Sequence, residues 1–136
     1  MSFDPYIHFP GTCAQAMAFY QSVFGGDLQM MRYADMPDAP PEYAGSDLVM
    51  HSTLAVGGRI MMAGDFPPGM VPDPQKAVSI SHFAADIDDA ARIFAALSDG
   101  AEIMLPFGQT FWSNGYGMLK DRFGTHWMIA ATPRAD

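Results

Sequence analysis

Apolar residues recur at helical spacing in two segments of the chain, and each segment ends at a glycine. Residues three and four apart lie on one face of a helix, so each segment predicts an amphipathic helix. Glycine is favoured just beyond a helix C-terminus because it adopts positive φ without strain. The apolar positions are Ala16, Phe19, Tyr20 and Val23 before Gly25, and Ala90, Ile93, Phe94 and Leu97 before Gly100.

The chain repeats itself, because each predicted helix follows a short strand-like run at the same offset. The runs are Ile7-His8-Phe9 and Ser81-His82-Phe83. Thr12 is the expected N-cap of the first helix, with Gln15 at capping-box spacing. In the second half, Asp86 and Asp89 occupy the equivalent places, where acidic residues favour a helix N-terminus.

Further strand-like runs follow each helix and complete two modules of the form βαβββ. Gly57-Gly58 between two apolar runs predicts a hairpin with a type I′ turn. We therefore predict an α+β fold with two repeat-related modules in one domain (residues 1–136), whose curved mixed sheets surround a cleft, the default binding site. The predicted strands are 27–33, 48–56 and 59–63 in module one (about 3–66), and 102–105, 111–119 and 126–131 in module two (about 77–132), after a linker of about 67–76.

Composition narrows the classes of partner. Seven Lys+Arg against fifteen Asp+Glu give a net charge of −8, which argues against nucleic acid and anionic membranes. No apolar run approaches the length of a membrane span. The single cysteine, Cys13, cannot form an internal disulfide, and the N-terminus has no signal-peptide pattern, so we expect a cytoplasmic protein.

Motifs at both ends of the chain resemble those of PhnB-like proteins of the vicinal oxygen chelate superfamily. The resemblance implies the paired βαβββ fold of glyoxalase I, extradiol dioxygenases and bleomycin-resistance proteins, and it implies a homodimer. The motifs are Pro5-Tyr6-Ile7-His8-Phe9, Phe19-Tyr20, Phe24-Gly25-Gly26, Gln109-Thr110-Phe111-Trp112, Gly115-Tyr116-Gly117, Phe123-Gly124 and Trp127-Met128-Ile129.

The metal set that this resemblance would bring is missing. Metal-dependent relatives hold a divalent ion with His or Glu on the first and last strands of each module, a donor set that suits Zn, Ni, Fe or Mn. The only glutamates, Glu42 and Glu102, lie outside those strands. We therefore expect no metal and no other cofactor. The positions that would carry the ligands hold Pro5 or Tyr6, Met61, Ile80 and Met128.

Strand alternation suggests which side chains line the predicted cleft. If Ile80 faces the cleft, His82 does too, and the repeat then adds His8. A displaced metal site of His8 and His82, completed by His51 or Asp65, is the alternative to a polar cavity lining. Cys13 is either a helix-activated nucleophile or a packed thiol. The candidate ligand-binding residues are His8, His51, His82, Gln109, Trp112, Tyr116 and His126.

Two functions are open at this point. The first is a small-molecule-binding protein of the bleomycin-resistance kind, which sequesters its ligand without chemistry. The second is a glyoxalase- or dioxygenase-like enzyme, a lyase, isomerase or oxygenase, in which His8 or His82 serves as metal ligand or general base. In the enzyme, Trp112 would pack the substrate and Gln109 would orient it.

Overall fold

Strands and helices follow the order strand, helix, strand, strand, strand twice along the chain. A computed structural model describes residues 1–131, and the chain divides into two compact units, Met1–Gln75 and a second that begins at Lys76. The elements of the first unit are β1 (Tyr6–Phe9), α1 (Cys13–Phe24), β2 (Asp27–Arg32), β3 (Val49–Val56) and β4 (Arg59–Asp65). The elements of the second are β5 (Ser79–Ala84), α2 (Ile87–Leu97), β6 (Glu102–Gly108), β7 (Tyr116–Lys120) and β8 (His126–Ala131).

The two units have the same sheet topology. The strand orders are β1-β4-β3-β2 and β5-β8-β7-β6. In each sheet the first strand pairs parallel with the last, and the other pairs are antiparallel. Because both units repeat one βαβββ plan with mixed sheets, the predicted α+β fold class is confirmed.

Each helix covers one face of its own sheet. In the first unit Phe9, Met17 and Tyr20 have no exposed surface, and burial of such side chains stabilises the fold by about 1.5–3 kcal/mol each. The alternating strand residues Tyr6 and His8 are exposed. All four apolar positions predicted for α2 are buried, and so are Ala16, Tyr20 and Val23 of α1. Phe19 is only half-buried, and Met17 lies in the core instead.

The hairpin between β3 and β4 has the predicted turn. Gly57 and Gly58 adopt φ values of 55° and 80°, and a type I′ turn requires positive φ at both central residues. The turn fixes the register in which Val56 opposes Arg59 and Ser52 opposes Ala63.

The N-terminus of α1 is capped from a distant strand rather than by Thr12. The Thr12 side chain makes no capping hydrogen bond. Instead, Oδ1 of the buried Asp65 accepts hydrogen bonds from the backbone N–H groups of Gly11 and Cys13, both at 3.0 Å. The predicted capping box is therefore wrong, because a carboxylate from β4 occupies its place. The prediction for α2 is confirmed, since Asp86 accepts a 2.8 Å bond from the Asp89 N–H.

Strand β7 is shorter than the apolar pattern predicts, since it begins at Tyr116 instead of Phe111. The residues before it form a loop held by local hydrogen bonds. Ser113 N–H donates to Thr110 Oγ1 at 3.1 Å, and Thr110 N–H donates to the Ser113 carbonyl at 2.9 Å. These bonds satisfy the backbone without a partner strand, which the spacing of apolar residues does not reveal.

Within residues 1–131, no helix has the length and apolar character needed to cross a membrane.

Replacing Asp65 by asparagine should destabilise the protein strongly. The carboxylate also accepts a 2.9 Å bond from the Val49 N–H, so three backbone donors depend on it, and hydrogen bonds to charged groups are the stronger ones. We expect Asp65→Asn to lower the free energy of unfolding by about 3 kcal/mol, measured by urea denaturation. The exposed Asp73 gives the matched control, Asp73→Asn, which should change it by less than about 0.5 kcal/mol. Equal midpoints for the two variants would contradict the role given to Asp65.

Candidate functional site

The face of the first sheet that points away from α1 carries one tyrosine and two histidines. Cys13 Sγ of α1 lies 3.6 Å from Ser52 Oγ of β3, so the side chains that alternate with Ser52 point the other way. We call this surface the first open face. It comprises Tyr6, His8, His51, Thr53, Met62 and Gly64.

Three rings of the first open face and one from the segment after β4 form a cluster. The Tyr6 ring centroid lies 4.9 Å from that of His8 and 5.6 Å from that of His51. The Phe66 ring lies 4.8 Å from His8. We call these four residues the aromatic–histidine cluster. Its rings offer flat apolar surface together with imidazole nitrogens, which suits a small planar ligand with polar groups.

A glycine makes room for the central ring of this cluster. A Cβ at Gly64 would lie 2.6 Å from the Met50 carbonyl oxygen and 3.0 Å from the Tyr6 hydroxyl. Only a residue without a side chain therefore lets Tyr6 lie across β4 at this point. Met50 is the extra residue of a β-bulge, because Met31 pairs with His51 while Arg32 pairs with Val49. Bulges of this kind redirect nearby groups and are frequent beside functional sites.

The Tyr6 hydroxyl connects the cluster to the backbone. It lies 3.1 Å from His51 Nδ1 and 3.4 Å from the Met50 carbonyl oxygen. Burial, and to a lesser degree the Cys13 thiol, raise the pKa of the Tyr6 phenol above its ordinary value. Tyr6 therefore keeps its proton at neutral pH.

His82 does not share a face with His8 as the repeat predicted. His82 of β5 and Gly117 of β7 both lie opposite Ile129 of β8, so the three residues are on one face. A Cβ at Gly117 would lie 2.6 Å from Phe94 of α2, which shows that this face is the one toward the helix. His82 thus points to the helix side. Burial there lowers the pKa of His82, an effect larger than the opposing influence of the Asp89 carboxylate. The predicted common face is wrong, because one residue of slip between the two repeats turns a side chain to the opposite face.

The second sheet has an open face of its own, where His126 lies. His126 opposes Ser79 on β5 and Lys120 on β7. Among residues 1–131, its buried Nδ1 makes no hydrogen bond. Such an atom is costly unless water or another group satisfies it. A role for His126 in ligand binding stays a prediction.

The remaining candidates of the second unit lie at the other end of β7. Trp112 is 56% exposed in the loop before that strand, with ring centroids 4.6 Å from Phe111 and 5.5 Å from Tyr116, both edge-to-face. Gln109 is an exposed residue of the same loop. The structure thus brings Trp112 and Tyr116 together, and their role as ligand contacts stays a prediction.

Cys13 is a packed thiol and not an activated nucleophile. It is fully buried, and burial raises its pKa to about 12. The hydrogen bond with Ser52 opposes this shift only in part. Since the thiolate is the reactive species, the alternative of a helix-activated nucleophile is wrong.

Two of the positions compared with the metal ligands of relatives lie on different sides of their own sheets relative to the helices. Met61 opposes Leu54 on the helix side of the first sheet, whereas Met128 opposes Met118 on the open side of the second. Asp65, considered for a displaced site, is engaged in capping α1. Over residues 1–131, no three His, Cys, Asp or Glu side chains are grouped as a metal site.

Sequence reasoning missed Tyr6, Phe66 and Gly64 as site residues. The alternation of Tyr6 with His8 placed both on one face, and that signal could have been used. Phe66 lies just beyond the end of β4, and the role of Gly64 depends on the close approach of Tyr6 and Met50 from neighbouring strands. Neither feature produces a pattern in the local sequence.

Comparisons with known proteins agree with this architecture. A relative from Escherichia coli, protein YjdN, is 26% identical over 140 residues, which cover 95% of this chain and 94% of that protein. The crystal structure of protein PA1353 from Pseudomonas aeruginosa has a TM-score of 0.88 and 35% identity, over 96% of this chain and 97% of that one.

A PhnB protein from Bacillus cereus shares the fold, with a TM-score of 0.73 and 22% identity over 97% of this chain and 100% of that one. These similarities confirm the predicted resemblance to PhnB-like proteins. The family model described as "Glyoxalase/Bleomycin resistance protein/Dioxygenase superfamily" matches residues 3–129. On that match, and on the paired βαβββ units that carry it, the chain belongs to this superfamily.

Proposed function

We propose that the chain is a PhnB-like small-molecule-binding protein that holds a planar ligand against the aromatic–histidine cluster. The observation that carries this proposal is the contact of Tyr6 with both His8 and His51 on the first open face. Ring contacts of this kind contribute about 0.5–1.5 kcal/mol each beyond simple burial. The arrangement is built in advance, which reduces the entropy lost when a ligand binds.

The chemistry of the cluster favours a neutral or weakly polar ligand. Its polar atoms belong to two imidazoles and one phenol, which form hydrogen bonds without a fixed charge. The cluster offers a strongly basic ligand no carboxylate with which to form an ion pair. A flat ring with one or two polar substituents fits both the ring surfaces and the nitrogens.

An enzyme is the second candidate function. The observation that favours it is the 3.1 Å separation of the Tyr6 hydroxyl from His51 Nδ1, since a phenol and an imidazole in contact can pass a proton. We propose that any such activity uses these side chains without a resident metal. The binding protein and the enzyme would use the same site, and they differ in whether the bound molecule is chemically changed before it is released.

Replacing His8 should weaken ligand binding, whereas replacing His82 should not. We expect a thermal-shift screen of planar aromatic compounds to yield ligands that stabilise the protein. For these ligands His8→Ala should raise Kd about threefold to tenfold, because one ring contact is lost. His82→Ala is the matched control, since the sequence repeat aligns the two histidines, but His8 points away from the helix of its own unit and His82 points toward the helix of its own unit. Equal losses in both variants, or none in His8→Ala, would contradict the proposed site.

Protein purified without chelators should contain well under one metal ion per chain. The reason is that Asp65 is engaged by backbone N–H groups and His82 faces α2, which leaves His8 and His51 as the histidines of the first open face. Elemental analysis after incubation with Zn, Ni, Mn and Fe(II) measures this directly. One ion per chain that disappears in His8→Ala or His51→Ala would overturn the metal-free proposal and favour the metal-dependent enzyme.

We propose in addition that the chain forms a homodimer through strand β6. This strand lies at the edge of the second sheet, and its consecutive residues Ile103 and Met104 are 42% and 52% exposed. An apolar edge strand is a surface that proteins normally cover.

Light scattering should therefore give a mass of about twice the 14.8 kDa of one chain, and Met104→Lys should reduce it toward one chain because a charge enters the interface. Met70→Lys, at a methionine 57% exposed in the segment between β4 and β5, is the matched control. A dimer that survives Met104→Lys and Ile103→Lys would exclude this edge.

A further inference from the structure

We propose that Tyr6 holds neutral His51 in the tautomer that carries its proton on Nδ1, so that Nε2 offers a lone pair to the bound ligand. The site would then select ligands that present a hydroxyl or N–H donor at this position. The position of the ligand is taken from the proposed function, whereas the tautomer of His51 is inferred independently of it. It assigns Tyr6 and Gly64 as positioning residues, which act through His51.

The argument begins with a count of hydrogens. The Tyr6 hydroxyl has one proton to donate and can also accept. Two groups lie within reach of it, the Met50 carbonyl oxygen at 3.4 Å and His51 Nδ1 at 3.1 Å. The carbonyl can only accept. Both contacts are hydrogen bonds only if Tyr6 donates to Met50 and accepts from an Nδ1–H group of His51.

The shorter of the two contacts is the one with His51. Its 3.1 Å separation lies within the ordinary range of an N–H···O bond, and the 3.4 Å bond from the Tyr6 hydroxyl to the Met50 carbonyl is a long one. If Tyr6 instead donated its proton to Nδ1, its hydroxyl would make no hydrogen bond to the Met50 carbonyl. Burial raises the pKa of Tyr6, so the proton needed for the Met50 bond is retained.

The backbone around the cluster maintains this choice. The bulge at Met50 brings its carbonyl oxygen to within 2.6 Å of the place where a Gly64 Cβ would lie. Because Gly64 has no side chain, the Tyr6 hydroxyl reaches the carbonyl and the imidazole together. Both features are properties of the folded chain, and they are present before any ligand arrives.

The second nitrogen of His51 is then defined by elimination. In a neutral imidazole one nitrogen donates and the other accepts. Within Met1–Gln75, His51 Nδ1 makes the contact with Tyr6, and Nε2 has no hydrogen-bond partner. An acceptor nitrogen beside aromatic rings binds a hydroxyl or N–H group, and it can also take a proton from a weakly acidic one.

Nitrogen-15 NMR of the histidine side chains tests the tautomer directly. In alkaline buffer, where imidazoles are neutral, we expect the His51 signals of the wild-type protein to be those of a protonated Nδ1 and an unprotonated Nε2. Tyr6→Phe removes the acceptor, so His51 should move to the Nε2–H form that free imidazole side chains prefer. Gly64→Ala should produce the same shift by displacing Tyr6. Tyr43→Phe, which removes a hydroxyl elsewhere in the first unit, is the matched control and should leave the His51 signals unchanged.

A pair of probes of similar shape tests the predicted selectivity. Indole carries one N–H donor and indene carries none. We expect wild-type protein to bind indole about fivefold to tenfold more tightly than indene, the worth of one hydrogen bond, and we expect Tyr6→Phe to remove that preference. Binding is followed through chemical-shift changes at His8 and His51.

The outcomes separate this inference from the proposed function. An Nε2–H signal for His51 in the wild-type protein would overturn the tautomer, whether or not the probes bind. The expected tautomer with equal binding of indole and indene would overturn the selectivity. If neither probe perturbs His8 or His51, this location fails as the site for planar ligands, and the selectivity fails with it.

Discussion

The buried carboxylate of Asp65 ties together three separate parts of the first unit. Its oxygens accept hydrogen bonds from the loop before α1, from the first residue of α1 and from the start of β3. Because side chains alternate along a strand, the position of Asp65 on the helix side places its neighbour Gly64 on the open side. Parallel pairing then sets His8 opposite Gly64 and Tyr6 opposite Met62. The geometry of the aromatic–histidine cluster follows from where this one carboxylate is anchored.

The second unit reaches the same topology with a different anchor. Asp121, which is also buried, accepts bonds from the Thr125 N–H at 3.0 Å and from the Trp127 indole N–H at 2.9 Å. This carboxylate holds the turn between β7 and β8, whereas Asp65 holds the start of a helix. Repetition of the fold therefore does not require repetition of the stabilising contacts. The two open faces are free to differ in the same way, as the opposite orientations of His8 and His82 demonstrate.

The parts of the structure that depend on local pattern could be predicted from the sequence. Helix faces, the Gly57-Gly58 turn and the Asp86 cap each depend on residues within a few positions of one another. The parts that depend on register or on distant contacts could not. A difference of one residue between the two repeats determines which face His82 lies on. Hydrogen bonds between Thr110 and Ser113 hold a loop where a longer β7 was predicted. The carboxylate that caps α1, that of Asp65, is 52 positions away from Cys13. Strand alternation has a period of two, so an error of a single residue in the register is enough to assign a side chain to the wrong face of the sheet.

The proposed site at the aromatic–histidine cluster relies on milder chemistry than a carboxylate-rich metal centre would. A neutral imidazole and a phenol that keeps its proton carry no charge, so covering them with a ligand does not leave a buried ion. Such a surface can select a ligand by the direction of its hydrogen bonds, because each nitrogen of a neutral imidazole either donates or accepts. The bulge at Met50 and the missing side chain at Gly64 then matter more than any added charge, since they determine which atom of His51 is the acceptor. Specificity in this site is accordingly a property of the backbone as much as of the side chains that would touch the ligand.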